Sequence, residues 1–285
     1  MIARLTILDK INLFIRVYIM LFVSIFKISP WVPFLVVALF QAGGLMALIW
    51  VNSPLWTNLI QPVLSIFLPD RVFHFPRYYL ALPFINSIFD SFILGPTVWL
   101  LMLATAIYKL GGVYSSRPSH LKDGINIAFK SYLPLLAVWL IEMVFVLAVL
   151  LLPSGALSSF VKGSPRVNMA LDFGLQMMAY IVTAFLIYTI PGIIIARKRL
   201  GAALADSVRL CFNNFFLTYF IVIIPGIFLF LPDFILANYG LEITRIFNPQ
   251  IVVVIIYLKI SAGIFLNLFI YGAATFVYKE LLYKD

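Results

Sequence analysis

Leu121–Pro153 reads LKDGINIAFKSYLPLLAVWLIEMVFVLAVLLLP, and Leu200–Pro232 reads LGAALADSVRLCFNNFFLTYFIVIIPGIFLFLP; the two 33-residue stretches align without a gap. Each begins with about a dozen mixed residues, carries a cation at the matched position (Lys130, Arg209), and then stays apolar for about 20 residues up to a Leu-Pro pair. About 20 apolar residues at 1.5 Å each cross a bilayer core, so each unit predicts a short polar-faced helix feeding a membrane span. The expected bends fall at Ser131 to Pro134, where proline cannot donate to the preceding turn, and at Phe212 to Phe215. A looser third copy lies near the N-terminus, where Ile25, Phe26 and Lys27 match Ala128, Phe129 and Lys130 ahead of an apolar run from Trp31 to Trp50. Internal repetition is read first because it fixes architecture.

Working outward, the 285 residues are 64% hydrophobic and 11% charged, against about 45–50% apolar and about 25% charged in soluble domains. The reading is an all-α polytopic membrane bundle forming a single transmembrane domain over residues 1–285. Six spans fit, at about 31–51, 90–110, 133–152, 171–196, 215–231 and 251–278, with amphipathic interfacial helices before the odd-numbered ones. At the N-terminus Asp9, Asn12 and Arg16 form a polar stripe opposite Leu8, Ile11, Phe14, Ile15 and Ile19, which predicts a helix in the interface plane. No small-residue cleavage site follows it, so a retained segment is expected.

The net charge of +9 reads as topology and not as a nucleic-acid footprint. With the N-terminus inside, fourteen Lys and Arg fall on the inner side and five, Arg71, Arg77, Lys162, Arg166 and Arg245, on the outer side. That bias predicts cytoplasmic N- and C-termini in a bacterial inner membrane. Between the first two spans, Pro54 to Leu68 has apolar residues near helical spacing, and RVFHFPRYYLALP sets Arg71, His74 and Arg77 among aromatics as an interfacial belt does. The later outer connections, Ser154 to Ala170 with turn signals at Gly155 and Gly163-Ser164-Pro165, and Asp233 to Gln250, are too short for a folded domain.

The raw material for catalysis is thin. His74 and His120 fall on opposite sides in this topology, Cys211 is the single cysteine, and HExxH, GxSxG, GxxxxGK[ST] and CxxC patterns are absent from the sequence. No enzyme activity, cofactor or metal is expected. Ionisable residues at membrane depth carry more, because each costs about 2.5–3.5 kcal/mol at a helix centre. Glu142 sits in the middle of the third span, and Lys259 about nine residues, roughly 13 Å, into the sixth. The expectation is a mutual ion pair. Gly263 and Asn267 continue the Lys259 face, with Gln41 on the first span and Gln176, Tyr180 and Thr183 on the fourth completing a polar interior. Such residues serve either a transport pathway or interhelical hydrogen bonds alone. Asp90 and Asp172 read as helix N-terminal charges matched to the dipole.

On the cytoplasmic helices, Asp123, Asn126 and Lys130 share one face, and Asp206, Arg209 and Asn213 another, an interaction face for a partner or for headgroups. Ser119 is the expected N-cap of the first of these helices. Gly43-Gly44, Gly95-Pro96, Pro191-Gly192 and Pro225-Gly226 are candidate helix breaks.

Ala203, Leu204, Ser207, Leu210, Asn214 and Phe215, within PGIIIARKRLGAALADSVRLCFNNFFLTYF, form an A-L-x-x-S helix, a Leu and an Asn-Phe turn into the next span. This pattern, with the closing ATFVYKELLY, resembles the six-span membrane domain attached to some bacterial glycerophosphodiester phosphodiesterases and related uncharacterised integral membrane proteins. The chain has Ala196-Arg197 where that family often has an acidic residue, and no phosphodiesterase domain. The resemblance implies a fold and a membrane location without an activity. Together these readings predict a non-enzymatic subunit that handles or transports an amphipathic or lipid-like molecule. Its expected partners are membrane lipids and other membrane or envelope subunits, with no nucleic acid. The alternative is a scaffold docking a partner through its basic cytoplasmic helices.

Overall fold

The computed structural model describes residues 7–50, 61–66, 72–75, 77–157 and 165–282, with Pro54, Asn58 and Pro69. Part of the expected surface helix of Pro54 to Leu68 and the turn at Gly163-Ser164 lie outside the described residues; of the former, the short helix Gln61–Ser65 is described. The described chain is an all-α membrane bundle whose elements are α1 (Ile7–Ile25), α2 (Trp31–Ile49), α3 (Gln61–Ser65), α4 (Arg77–Ile88), a π-helical segment (Phe89–Trp99), α5 (Leu100–Tyr114), α6 (Leu121–Lys130), α7 (Tyr132–Leu157), α8 (Pro165–Leu186), α9 (Thr189–Ile194), α10 (Leu200–Asn213), α11 (Phe215–Ile246) and α12 (Ile251–Leu282). Among the described residues, six stretches are long and apolar enough to cross a membrane: Trp31–Ile49, Arg77–Tyr114, Tyr132–Leu151, Arg166–Ile194, Phe215–Ile246 and Ile251–Leu282.

Two span limits differ most from expectation. The second span begins at Arg77, so Asp90 lies inside the helix and is no N-terminal charge. The fifth runs on to Ile246, so Asp233 is helical and not in a loop. Pro83 and Pro232 both sit inside helices, as packed membrane helices allow. The glycine and proline pairs behave likewise. Gly43-Gly44 and Pro225-Gly226 lie within the continuous α2 and α11, and Gly95-Pro96 lies within the π segment.

The helix-then-span order holds in both quoted stretches. α6 ends at Ser131 (φ −100°, ψ 11°) before α7, and α10 ends at Asn214 (φ −133°, ψ 40°) before α11. The elbows share a bond pattern: Ser131 N–H donates to Ile127 and its carbonyl accepts from Leu135, while Asn214 N–H donates to Leu210 and its carbonyl accepts from Thr218. Both bends fall where the sequence placed them. The gapless register does not survive, since α6 has 10 residues and α10 has 14, one helical turn more. His120, not Ser119, occupies the N-cap of α6.

The chain divides into two compact units. The first comprises Met1–Phe34, Leu100–Gly226 and Leu266–Asp285, and the second Leu35–Trp99 and Ile227–Phe265. In the first, Leu103, Ala104, Ile107 and Leu110 of α5 are buried with Ala128 of α6, Leu135 of α7, Ala203 and Leu210 of α10, and Ala273, Ala274 and Val277 of α12. Small residues at these positions let backbones approach, as membrane helix packing requires. α1 presents Leu13, Val17, Leu21 and Ser24 inward, and leaves Leu8, Ile11, Ile15 and Ile19 exposed. Its polar residues reach out from the packed side: Arg16 pairs with Glu280 at 2.9 Å and Ser24 Oγ donates to Tyr114 Oη at 3.1 Å. On α11, Phe216, Phe220, Ile224 and Phe228 repeat every fourth residue and are all exposed, the surface a lipid-facing helix needs.

Ser207, part of the A-L-x-x-S pattern, has a structural role. The helix of the fourth span breaks at Ile187 and Tyr188, and the buried Ser207 Oγ accepts from Tyr188 N–H at 3.1 Å while donating to the Phe185 carbonyl at 2.7 Å. Ser207→Ala should leave both backbone groups without that partner and cost about 1–3 kcal/mol, read as earlier thermal unfolding in detergent; an unchanged midpoint would refute the splice.

Cys211 is fully buried on α10, and burial pushes its thiol up to about 12, against an ordinary value of about 8.5. The reactive thiolate should therefore be scarce below about pH 12. The folded protein should resist maleimide at neutral pH and react on denaturation, and stoichiometric labelling of the native state would contradict this. The sign is that of an acid whose folded pKa is raised: the neutral thiol's contribution to stability is fully present below the unfolded value and is lost as pH rises through the folded one.

Candidate functional site

The second unit has an apolar core of Ala38, Leu45 and Leu48 from α2, Tyr78, Leu82 and Ile85 from α4, Leu236 from α11, and Val252, Ile256 and Ile260 from α12. The four-residue steps 252, 256 and 260 put one stripe of α12 inward. Tyr78 Oη donates to the Leu48 carbonyl at 2.6 Å, satisfying an acceptor in the last turn of α2 that has no intrahelical partner.

Within this unit Lys259 Nζ lies 2.5 Å from Asp233 Oδ2, with side chains 22% and 33% exposed. Both are close enough to Asp90 to act on it electrostatically. Asn86, one turn before Asp90, donates from Nδ2 to Asp90 Oδ2 at 3.0 Å, and the side chain of Gln41 on α2 lies near the same carboxylate. Asn86 is buried, and among the described residues its Oδ1 has no hydrogen-bond partner. Asp90 sits at the start of the π segment, a widened helix of the kind often found at functional positions. The result is two carboxylates, one ammonium and two amides in an apolar surround. One carboxylate is left without a cation of its own, and one amide oxygen is free to accept. A headgroup carrying hydroxyl or amine donors matches that chemistry.

Glu142 and Lys259, expected as a mutual ion pair, each have a different partner inside their own unit. Lys259 takes Asp233, 26 residues back along the chain and brought alongside by the α11–α12 hairpin. Glu142, in the first unit, accepts from Thr183 Oγ1 at 2.9 Å, and Tyr271 lies near enough to feel its charge. Tyr180, one turn before Thr183, donates to the Gly226 carbonyl at 2.5 Å, so that face of α8 bonds to α7 and α11. Gln176 is half-buried one turn earlier on the same helix. Asn267 is half-buried on α12 and belongs to the first unit, whereas Lys259 and Gly263 belong to the second. Asp172 is exposed within α8, not at its start.

The polar faces of α6 and α10 differ from each other. Asp123, Asn126 and Lys130 are exposed on α6 as expected. On α10, Arg209 is exposed, but Asp206 is tied to Lys198 at 2.5 Å. That hydrogen bond holds the Lys198 ammonium above the ordinary lysine range. What the raised Lys198 ammonium contributes is therefore complete at neutral pH and is lost as pH rises through the alkaline folded value.

The sequence reading missed Asp233 and Asp90 as members of the cluster. One signal was available, the Asn86–Asp90 spacing of four. No known protein family, curated protein or solved structure matches the chain.

Proposed function

We propose that the chain is a multi-pass bacterial inner-membrane protein that handles or transports an amphipathic, lipid-like molecule. It acts without catalysing a reaction, as a subunit among other membrane or envelope components. The observation that carries this reading is the polar cluster of Asp90, Asp233, Lys259, Gln41 and Asn86 inside an apolar unit, since intramembrane ionisable groups mark substrate and ion pathways more often than they serve packing. A second support is an apolar groove of about 270 Å³ in the first unit, lined by Ile11, Phe14, Phe215, Phe216 and Phe220 with Lys10 at its edge, a shape that suits an acyl chain beside an anionic group. We further read the two helix–elbow–span stretches as copies of one unit, akin to the six-span domains associated with glycerophosphodiester phosphodiesterases. The exposed face of α6, with Asp123 and Lys130, favours the scaffold as the second reading.

Mass spectrometry of species retained by the full chain in mild detergent tests the proposal. A defined amphipathic species held by the wild type and lost from a folded D90N variant is the expected result. Identical retained species in both would end it, and capture of a protein that is lost with D123N/K130Q would favour the scaffold.

Sidedness is tested separately. With Cys211 buried, a cysteine at Lys122 should be shielded from an impermeant thiol reagent in intact cells and one at Gln250 should label. The reverse order would invert the topology, and equal labelling would break the span count.

A further inference from the structure

In the first unit, the chain leaving α5 and the chain leaving α9 meet around a cavity of about 210 Å³ whose lining includes Ser115, Arg117, Ser119 and Arg197. Among the described residues, no carboxylate lines it. Two ammonium groups stand behind its wall. Lys279 Nζ donates to the lining Ser115 Oγ at 2.6 Å, and Lys109 Nζ donates to the carbonyl of the lining Ser119. Lys109 is 6% exposed. An ammonium has three N–H donors, and the Ser119 carbonyl is the one acceptor the described residues give Lys109. A buried cation whose acceptor is a neutral carbonyl is costly unless an anion lies close by. Ser116 and Arg197 both hold left-handed backbone, with φ of 52° and 51°, an uncommon conformation for residues other than glycine.

We propose that this cavity binds a phosphate-bearing group, clamped by the guanidiniums of Arg117 and Arg197 in the positive field of Lys109 and Lys279. Planar guanidiniums match phosphate oxygens two at a time, and the cavity holds a phosphate group with room for a substituent. The group is either the headgroup of an anionic lipid or a soluble phosphate. The inference stands on first-unit residues and does not depend on the polar cluster of the second unit.

The test uses the full chain in detergent, with inorganic phosphate as one probe and phosphatidylglycerol, against an uncharged glycolipid, as the other. Wild type is compared with R117Q/R197Q and with K122Q/K130Q, which removes two exposed charges outside the cavity. A saturable rise in unfolding temperature with phosphate, absent in R117Q/R197Q and kept in K122Q/K130Q, supports the site and assigns a soluble phosphate. No response to phosphate, with retained phosphatidylglycerol falling about tenfold in R117Q/R197Q alone, supports the site and assigns a headgroup. No difference between wild type and R117Q/R197Q, or an equal loss in K122Q/K130Q, overturns it. Should R117Q/R197Q not fold, R117Q/R197G, which relieves the left-handed backbone while removing the same charge, is scored in its place.

Discussion

Lys259→Met should destabilise the protein by about 2–4 kcal/mol, at or below the range for breaking a buried pair because both side chains keep some exposure. The variant leaves Asp233 and Asp90 as two neighbouring carboxylates with no cation between them. Asp233→Leu should cost less, since Lys259 still has Asp90 close enough to serve as its counter-ion. D233L/K259M should cost less than K259M alone, because an apolar pair needs no desolvation and suits a unit whose core is apolar. The quantity to measure is the unfolding midpoint in detergent for all three variants. If D233L were the more damaging single change, or the double variant no better than K259M, the cluster would not be coupled as described. The same series serves function: a stable double variant that no longer retains the bound species would separate the role of the charges from their contribution to folding.

The second large effect is expected at two adjacent glycines. A Cβ on Gly44 would lie 2.2 Å from Phe89 Cε1 and 2.7 Å from Cζ, whereas one on Gly43 meets nothing within 4 Å. Gly43→Ala should therefore be neutral, or stabilising by up to about 1 kcal/mol, as expected for alanine replacing glycine within a helix. Gly44→Ala should cost about 1–3 kcal/mol, because the ring of Phe89 must move at the junction of α4 and the π segment that positions Asp90. The two identical substitutions, one residue apart, should differ by about 2 kcal/mol or more in chemical unfolding. Equal effects would mean that the contact of α2 with Phe89 is not tight.

The span count and both elbows were legible because they rest on local properties: runs of apolar residues, and a polar helix ending at Pro134 or at Asn213-Asn214. The partners of buried charges were not legible. Glu142 and Lys259 were matched on depth alone, whereas the actual partner of Lys259 is set by a hairpin that runs α11 past Pro232. Hydropathy weakens after Pro232, so Asp233 read as loop. A proline removes one intrahelical hydrogen bond but does not end a packed span. Asp90 was misplaced for the mirror-image reason, since the helical residues before it, Arg77 to Phe89, are rich in aromatic and polar side chains and read as an interfacial belt.

The extra turn in α10 has a consequence for how this elbow tolerates changes of length. Four residues advance a helix by about 6 Å and rotate it by about 400°, a net turn of only about 40°. The buried stripe of Ala203, Ser207, Leu210 and Cys211 would therefore stay nearly in phase after a four-residue insertion or deletion ahead of Asn214. One, two or three residues would swing the downstream part of that stripe by about 100°, 200° or 300°, and with it the direction in which α11 departs. Length at this elbow is effectively quantised: changes of four residues should be accepted, and smaller ones should unseat the fifth span.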